Sequence, residues 1–437
     1  MPRSSDVVVT GVGPVTAVGI GAESYWQSLS RSLTAIGSLE RRTDDGPKPA
    51  PDWRSLPLPG AWLGAPIVDF VGEDFVRPRK ALKVMSRELQ TAFAASSLAM
   101  DECGLGERVR QGDLAPDRVA TVFGSEMLYG PSSELHDAME KSRDERGEYQ
   151  LNRFGDAAMR NIMPLWMLKY LPNMPACHVG ISIGALGANN TILAGDVSIT
   201  SALIEAVSVL RRGIADVVIC GGSGTMIDST RLVYRGDFPV PEVVDPLENS
   251  CCPHATEAVG VVGGEAAGAM VLEFASAAER RGVKPLAVIA AGVSRFFAPH
   301  SGQRGSEAAI ANAITGALDQ AGLTPEAIGL VVSHGMGDPL RDAAERQALE
   351  RTVPAAPLVM PIASIGHCGA GTAAIHLITG VLALTHRQVP PSQFRGTAPK
   401  GWESRFRSTP TPLTKDAVLV LAHTSQGVAN AVVLRSA

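Results

Sequence analysis

The chain has 437 residues, 45% of them hydrophobic and 5% aromatic, and a formal net charge of -5. That length and apolar content allow a large core and suggest two or more domain-sized units, while the acidic balance gives no global attraction to nucleic acid or to an anionic membrane surface. The six cysteines (Cys103, Cys177, Cys220, Cys251, Cys252 and Cys368) show no Cys-x-x-Cys spacing, which points to reduced thiols in a cytoplasmic protein and gives no support to a metal site. No run reaches membrane-spanning length, and residues 1–6 lead into Val7-Val8-Val9 without the apolar core of a signal peptide.

Residues 6–10 read as the first strand and 23–32 as an amphipathic helix, joined through Gly11-Val12-Gly13-Pro14. The spacing Gly11-x-Gly13-x-x-Thr16 is a weak match to a dinucleotide fingerprint, because Thr16 stands where the third glycine belongs and Pro14 and Gly19 lengthen the turn. Residues 41–62, with Pro47, Pro49, Pro51, Pro57 and Pro59, read as an irregular surface connection. A basic cluster of Arg77, Arg79, Lys80 and Lys83 precedes a helix over 86–102. A buried strand at 119–124 is followed by a Met-rich, charged excursion over 125–170 and a strand at 178–182. In the stretch 189–202 a short strand turns at Asp196 into a helix over 197–210, and a strand at 216–220 completes the order strand, helix, strand. That order implies parallel pairing with right-handed crossovers.

The remainder repeats the theme. Strands at 264–274 and 286–293, a helix at 306–321 and a strand at 330–333 deliver His334. A strand at 358–360 leads to a glycine-rich turn over 364–371 that carries His367, followed by a helix over 372–383. In each half a strand, a Gly-bearing turn with a polar residue and a long apolar helix recur, so the chain reads as a duplicated α/β architecture with pseudo-twofold halves, residues 1–255 and 256–437.

Asp196 stands at a helix N-terminus, whose free N–H groups and dipole favour negative charge. That position suits an activated nucleophile, a bound anion or an ordinary N-cap. His334 and His367 follow strands at loop positions, where polar groups converge on one end of a parallel sheet. Gly180-Ile181-Ser182-Ile183-Gly184 matches the G-x-S-x-G pattern, but a nucleophile elbow needs a helix directly after the serine, and here 185–190 lead to another strand.

The segment Gly264-Glu265-Ala266-Ala267-Gly268 resembles the Gly-Glu-Gly-Ala-Gly run of the β-ketoacyl-acyl-carrier-protein synthases. Residues 8–13, 215–222, 321–335, Asp342-x-x-Glu345 and 366–371 are similar to further segments of that family in the same order, across essentially the whole chain. The resemblance implies a thiolase-like fold: two similar α/β halves stacked in five αβαβα layers, normally dimeric. In that family the turn at Asp196 carries a cysteine that takes an acyl chain from a carrier protein, and two histidines assist decarboxylation of a malonyl thioester and stabilise the enolate. The match puts His334 and His367 at the histidine positions and Asp196 at the cysteine position. It puts the family lysine on Ile362, two threonines on Met336 and Asp338, and the Gly-Phe-Gly-Gly gate on Ser425-Gln426-Gly427-Val428.

A thiolate exchanges one thioester for another at little cost, whereas a carboxylate would form a mixed anhydride, and the helix dipole keeps Asp196 ionised and a poorer nucleophile. The expectation is a homologue from fatty acid or polyketide synthesis whose own condensing activity is lost, similar to a chain-length-factor subunit that forms a heterodimer with a cysteine-bearing ketosynthase. One alternative is a malonyl-thioester decarboxylase or diverged acyltransferase using His334 and His367, with Asp196 as a polar orienter. Another is a homodimeric acyl-binding or scaffold protein. No cofactor of its own is implied, phosphopantetheine arriving on a partner acyl carrier protein, for which Arg77, Arg79, Lys80 and Lys83 are the candidate docking residues. If the two histidines lie close to Asp196, its carboxylate is expected to favour their protonated forms.

Overall fold

The computed structural model describes residues 2–39 and 62–437, so the proline-rich connection read at 41–62 lies, apart from Trp62, outside the described residues. Two arrays of five strands position everything else. The first comprises β1 (Val7–Thr16), β2 (Val119–Ser125), β3 (Asn189–Leu193), β4 (Val217–Thr225) and β5 (Gly263–Phe274), in the order β3-β2-β4-β5-β1. The second comprises β6 (Ala287–Phe296), β7 (Ile328–Val332), β8 (Leu358–Val359), β9 (Ala417–His423) and β10 (Val428–Arg435), in the order β8-β7-β9-β10-β6. Numbered within its own half, each array runs 3-2-4-5-1. In each, the first two pairings are parallel and the last two antiparallel. The arrays touch edge to edge where Val8 and Val9 of β1 meet Val288 and Ala287 of β6.

The long helices are α1 (Ala22–Ser30), α2 (Arg87–Glu102), α3 (Met174–Ile183), α4 (Ser198–Arg211), α5 (Glu307–Ala321), α6 (Pro339–Thr352) and α7 (Ala370–His386). α4 and α7 pack on each other between the arrays, α2 and α3 cover the outer face of the first, and α5 with α6 covers the second, giving five αβαβα layers. The composition of α7 follows from its place: from Ala370 to Leu384 every residue is buried, and a helix enclosed on all sides must be apolar on all sides. β4 and β5 read as nearly continuous apolar or small-residue runs for the same reason, being covered on both faces.

The structure corrects three readings. Gly11 and Gly13 do not open a loop: β1 runs on through them to Thr16. A Cβ at Gly11 would fall 2.1 Å from the Ala99 carbonyl oxygen, and one at Gly13 would fall 2.0 Å from that of Ala95. These glycines therefore let α2 lie directly on the strand, and no phosphate-binding turn exists there. Residues 178–182 are not a strand but the end of α3, where Ser182 Oγ donates to the Val179 carbonyl at 2.7 Å. Alternating Val179, Ile181 and Ile183 suggest β structure, but Pro175 in the first turn and Gly184 at φ +66° bracket a helix. Finally β5, taken above as the opening strand of the second half, closes the first, between β1 and β4. The halves divide between Phe274 and Ala287 rather than at residue 255.

Candidate active site

β3 ends at Leu193, Gly195 turns the chain at φ +61°, and a single 3-10 turn, Gly195–Val197, feeds α4. Ser198 secures this turn: its Oγ accepts from the Ala194 N–H at 2.9 Å and donates to the Gly195 carbonyl at 2.6 Å. Asp196 caps neither the turn nor α4. Its carboxylate points inward, 5% exposed. Oδ1 lies 2.7 Å from His367 Nε2 and Oδ2 accepts from Arg341 Nη2 at 2.6 Å. His334 Nε2 approaches Oδ2 at 3.7 Å.

The second half supplies all three partners. β7 delivers Ser333 and His334 at its C-terminal end. His367 is fixed by pairing with the start of β5: its N–H donates to the Val262 carbonyl and its carbonyl accepts from Gly264, both at 2.8 Å. Arg341 lies in the first turn of α6 and is 1% exposed. It also donates to the His423 carbonyl and lies over the Phe238 ring, 5.7 Å from its centroid. Sequence reasoning passed over it, although its helical face carries Asp342, Glu345, Ala348 and Leu349, all buried. That stripe, charged at one end and apolar at the other, is the signal that was available.

Behind the histidines stands a second acid. Glu345 Oε1 accepts from Ser333 Oγ at 2.7 Å and from the His334 N–H at 3.2 Å, and Oε2 meets His423 Nε2 at 2.9 Å. Ser333 Oγ also bonds His254 Nε2 at 2.8 Å. Asp342 holds the backbone that follows His334, accepting from the Met336 N–H at 2.9 Å and the Gly337 N–H at 3.0 Å. His376 of α7 places its ring edge-on to His334, centroids 5.5 Å apart.

Burial alone would raise the carboxyl of Asp196, but the charges of His367 and Arg341 and the two histidine contacts hold it well below the usual carboxylate range. An ionised carboxylate accepts, so His367 Nε2 is the donor in its 2.7 Å bond. Glu345 is likewise held far below that range against burial, chiefly by His423. The expectation that Asp196 would favour a protonated His334 does not hold. Loss of solvent outweighs the attraction of Asp196 and pushes His334 down to about 4, so at neutral pH its ring is uncharged. A third acid, Glu126 just past β2, is pushed up to about 7 by burial and the charge of Asp196, against its partner Arg231 at 2.7 Å.

Two family models cover this chain: residues 4–278 match the N-terminal domain of β-ketoacyl synthases and residues 286–394 match their C-terminal domain. The chain belongs to the β-ketoacyl synthase family. It is 25% identical over 402 residues to 3-oxoacyl-[acyl-carrier-protein] synthase 2 of Staphylococcus aureus, covering 90% of this chain and 88% of that one. A β-ketoacyl synthase from Burkholderia phymatum superposes with a TM-score of 0.84 at 21% identity, over 99% of this chain and all of that one. The ishigamide ketosynthase/chain length factor superposes with a TM-score of 0.80 at 20% identity over the full length of both. The five-layered fold is thus the thiolase-like fold of this family.

The residues that the family resemblance singles out as departures each have a defined place in the fold. Ile362 and Met336, which the family resemblance sets against a lysine and a threonine, are fully buried in one apolar cluster with Ile36, Leu63, Val261 and Val262. Asp338 caps α6, accepting from the Leu340 N–H at 3.1 Å, and pairs with Arg304 at 3.0 Å. Arg304 also reaches Asp237 at 3.5 Å, so one side chain ties together the segments that follow β4, β6 and β7. In the segment that the resemblance sets against the family gate, Gln426 is exposed and Gly427 adopts φ +95°, where a Cβ would fall 2.1 Å from the Phe297 carbonyl oxygen. Arg77, Arg79, Lys80 and Lys83 are all exposed, the last three on the 3-10 turn Arg79–Val84.

Proposed function

We propose that this chain is a non-condensing member of the family, a chain-length-factor-like subunit that pairs with a cysteine-bearing ketosynthase in fatty acid or polyketide synthesis. The observation that carries the reading is the Asp196 carboxylate, with one oxygen held by His367 and the other by Arg341. A carboxylate whose charge is held in this way by two donors is a weakened nucleophile toward a thioester, and the anhydride it would form lies uphill. Pairing is supported by β3, which among the described residues pairs only with β2. Ile181, Leu186 and Leu193 beside it are 74%, 77% and 47% exposed. An open strand edge flanked by apolar side chains is a template for another chain. Co-expression with a cysteine-bearing ketosynthase of the same pathway tests this. The two chains should co-elute on size exclusion, and intact mass should show no acyl adduct on this chain after incubation with acyl carrier protein. Separate elution, or a homodimer of this chain alone, overturns the pairing. Within the same reading the exposed Arg77, Arg79, Lys80 and Lys83 dock the acidic carrier protein by charge complementarity. Carrier affinity unchanged on reversing Lys80 and Lys83 to glutamate would remove that surface.

A second reading, a malonyl-thioester decarboxylase or diverged acyltransferase, is favoured by His334. Neither of its ring nitrogens has a hydrogen-bond partner among the described residues. A neutral imidazole N–H there is a donor available to a thioester oxygen. Incubation with malonyl carrier protein decides it: carbon dioxide release that disappears in His334→Ala and His367→Ala supports this reading, and no release by the wild type removes it.

A further inference from the structure

A cavity lies toward the far end of α4, where Arg211 is fifteen residues from Asp196, about 20 Å along the helix at ~1.5 Å per residue. It holds about 280 Å³ between α4 and β6, ample beside the roughly 150 Å³ of an apolar cavity that accepts a benzene ring. Its floor is aliphatic: Leu203 and Val207 from α4, Ile289 and Ala291 from β6. Gly292 keeps the cleft open, since a Cβ there would fall 2.9 Å from Ile204 Cγ1. The rim is polar, with Ser208, Arg211, Arg212 and Gln320. Through Arg211, Ile289 and Gln320 the cleft continues into a smaller notch that also carries Arg3 and Arg435.

The arginines of this cleft are not equally neutralised. Arg212 pairs with Glu205 at 3.3 Å and Arg3 with Asp6 at 3.2 Å. Arg211 and Arg435, from different elements, have no acidic partner among the described residues. An aliphatic floor offers dispersion and desolvation to a chain but no ring to stack against, and two cations without counter-ions at one end call for an anion.

We infer that this cleft binds a linear acyl chain with an anionic head, the chain on the α4–β6 floor and the head between Arg211 and Arg435. The inference stands apart from the chemistry at Asp196 and goes beyond the pairing proposed above. Isothermal titration of the full-length protein with octanoate, octyl phosphate, octanol and inorganic phosphate tests it. Octanoate and octyl phosphate should each bind at one site per chain, with octanol and inorganic phosphate at least about tenfold weaker, the scale of one charge-assisted contact. Arg211→Glu, on an exposed position, should weaken octanoate by at least about tenfold. Ile204→Trp, which fills the cleft, should abolish binding. Melting curves of both variants report whether they remain folded. No binding of octanoate by the wild type overturns the proposal, as does binding that both variants leave unchanged. Octanol as tight as octanoate removes the anionic head, and inorganic phosphate as tight as octyl phosphate removes the chain.

Discussion

Arg341 and Asp196 form a buried ion pair across the two halves of the chain, Nη2 to Oδ2 2.6 Å, with side chains 1% and 5% exposed. Removing one member of such a pair strands the other charge out of water, at a cost of roughly 3–5 kcal/mol. Asp196→Ala and Arg341→Ala should each lower the free energy of unfolding by about that amount. The double variant, which leaves no orphan charge in this pair, should lose clearly less than their sum. Urea unfolding of the four proteins measures the coupling. Strictly additive losses would mean that neither residue depends on the other.

The same positive surroundings predict what a thiol placed at Asp196 would do. The charges that hold Asp196 ionised against burial would equally favour a thiolate, whereas burial pushes the thiols of Cys220 and Cys251 up to about 12 and Cys252 up to about 11. The Asp196→Cys thiol should therefore alkylate with iodoacetamide at pH 7 at least about tenfold faster than any of those three, each tenfold being one pKa unit of thiolate fraction. Arg304→Ala, which cuts the link between Asp338 and Asp237, should speed the reaction further. Peptide mapping by mass spectrometry reads both rates. A thiol no faster than Cys220 would show that the field of Arg341 and His367 does not reach it.

His376 makes stability depend on pH in a defined window. Burial pushes it down to about 3, and His334 opposes a second charge beside it once that ring is itself protonated, while in the unfolded chain a histidine titrates near ~6.5. As pH falls from about 6.5 toward 3 the unfolded state takes up a proton that the folded state refuses, so this residue removes stability throughout that range, at about 1.4 kcal/mol per pH unit. Between pH 7.5 and 5.0 the contribution is a loss of about 2 kcal/mol. His376→Leu suits an otherwise apolar helix and should lose that much less stability over the same interval. Parallel pH dependences of wild type and variant in urea melts would contradict the assignment.

The convergence of Asp196, His334 and His367 was legible because each sits in a turn after a strand, and parallel strands present such turns at one end of the sheet. Arg341 was not legible in the same way. A charged residue in a helix reads as solvent-facing by default, and only its register with Ala348 and Leu349 indicates otherwise. Asp196 invites reading as an N-cap, but Ser198 two residues later secures the turn, a choice that depends on the φ of Gly195 and not on composition. The strand at 217–225 and the helix ending at His386 were announced by their apolar runs. The identical 3-2-4-5-1 order of the two arrays was not, because strand order is set by long-range pairing that leaves no local periodicity. Residues 178–182 show the converse, since a short apolar run is the same in a buried strand and in a buried helix.

Ile362 tests whether this point of the fold accepts the lysine that the family resemblance leads one to expect. Its side chain is fully buried in one apolar cluster with Ile36, Leu63, Val262 and Met336, so the two residues that the resemblance sets against a lysine and a threonine share an apolar surrounding. Ile362→Lys would carry an ammonium into that cluster, and the penalty for burying an uncompensated charge should lower stability by on the order of 4 kcal/mol. Ile362→Met, nearly equal in volume, should cost less than about 1.5 kcal/mol. Urea unfolding separates the two. A lysine variant within about 1 kcal/mol of the methionine variant would mean that a cation finds water or an acid at this point. The cluster would then still be configured as a ketosynthase site and not sealed as a core.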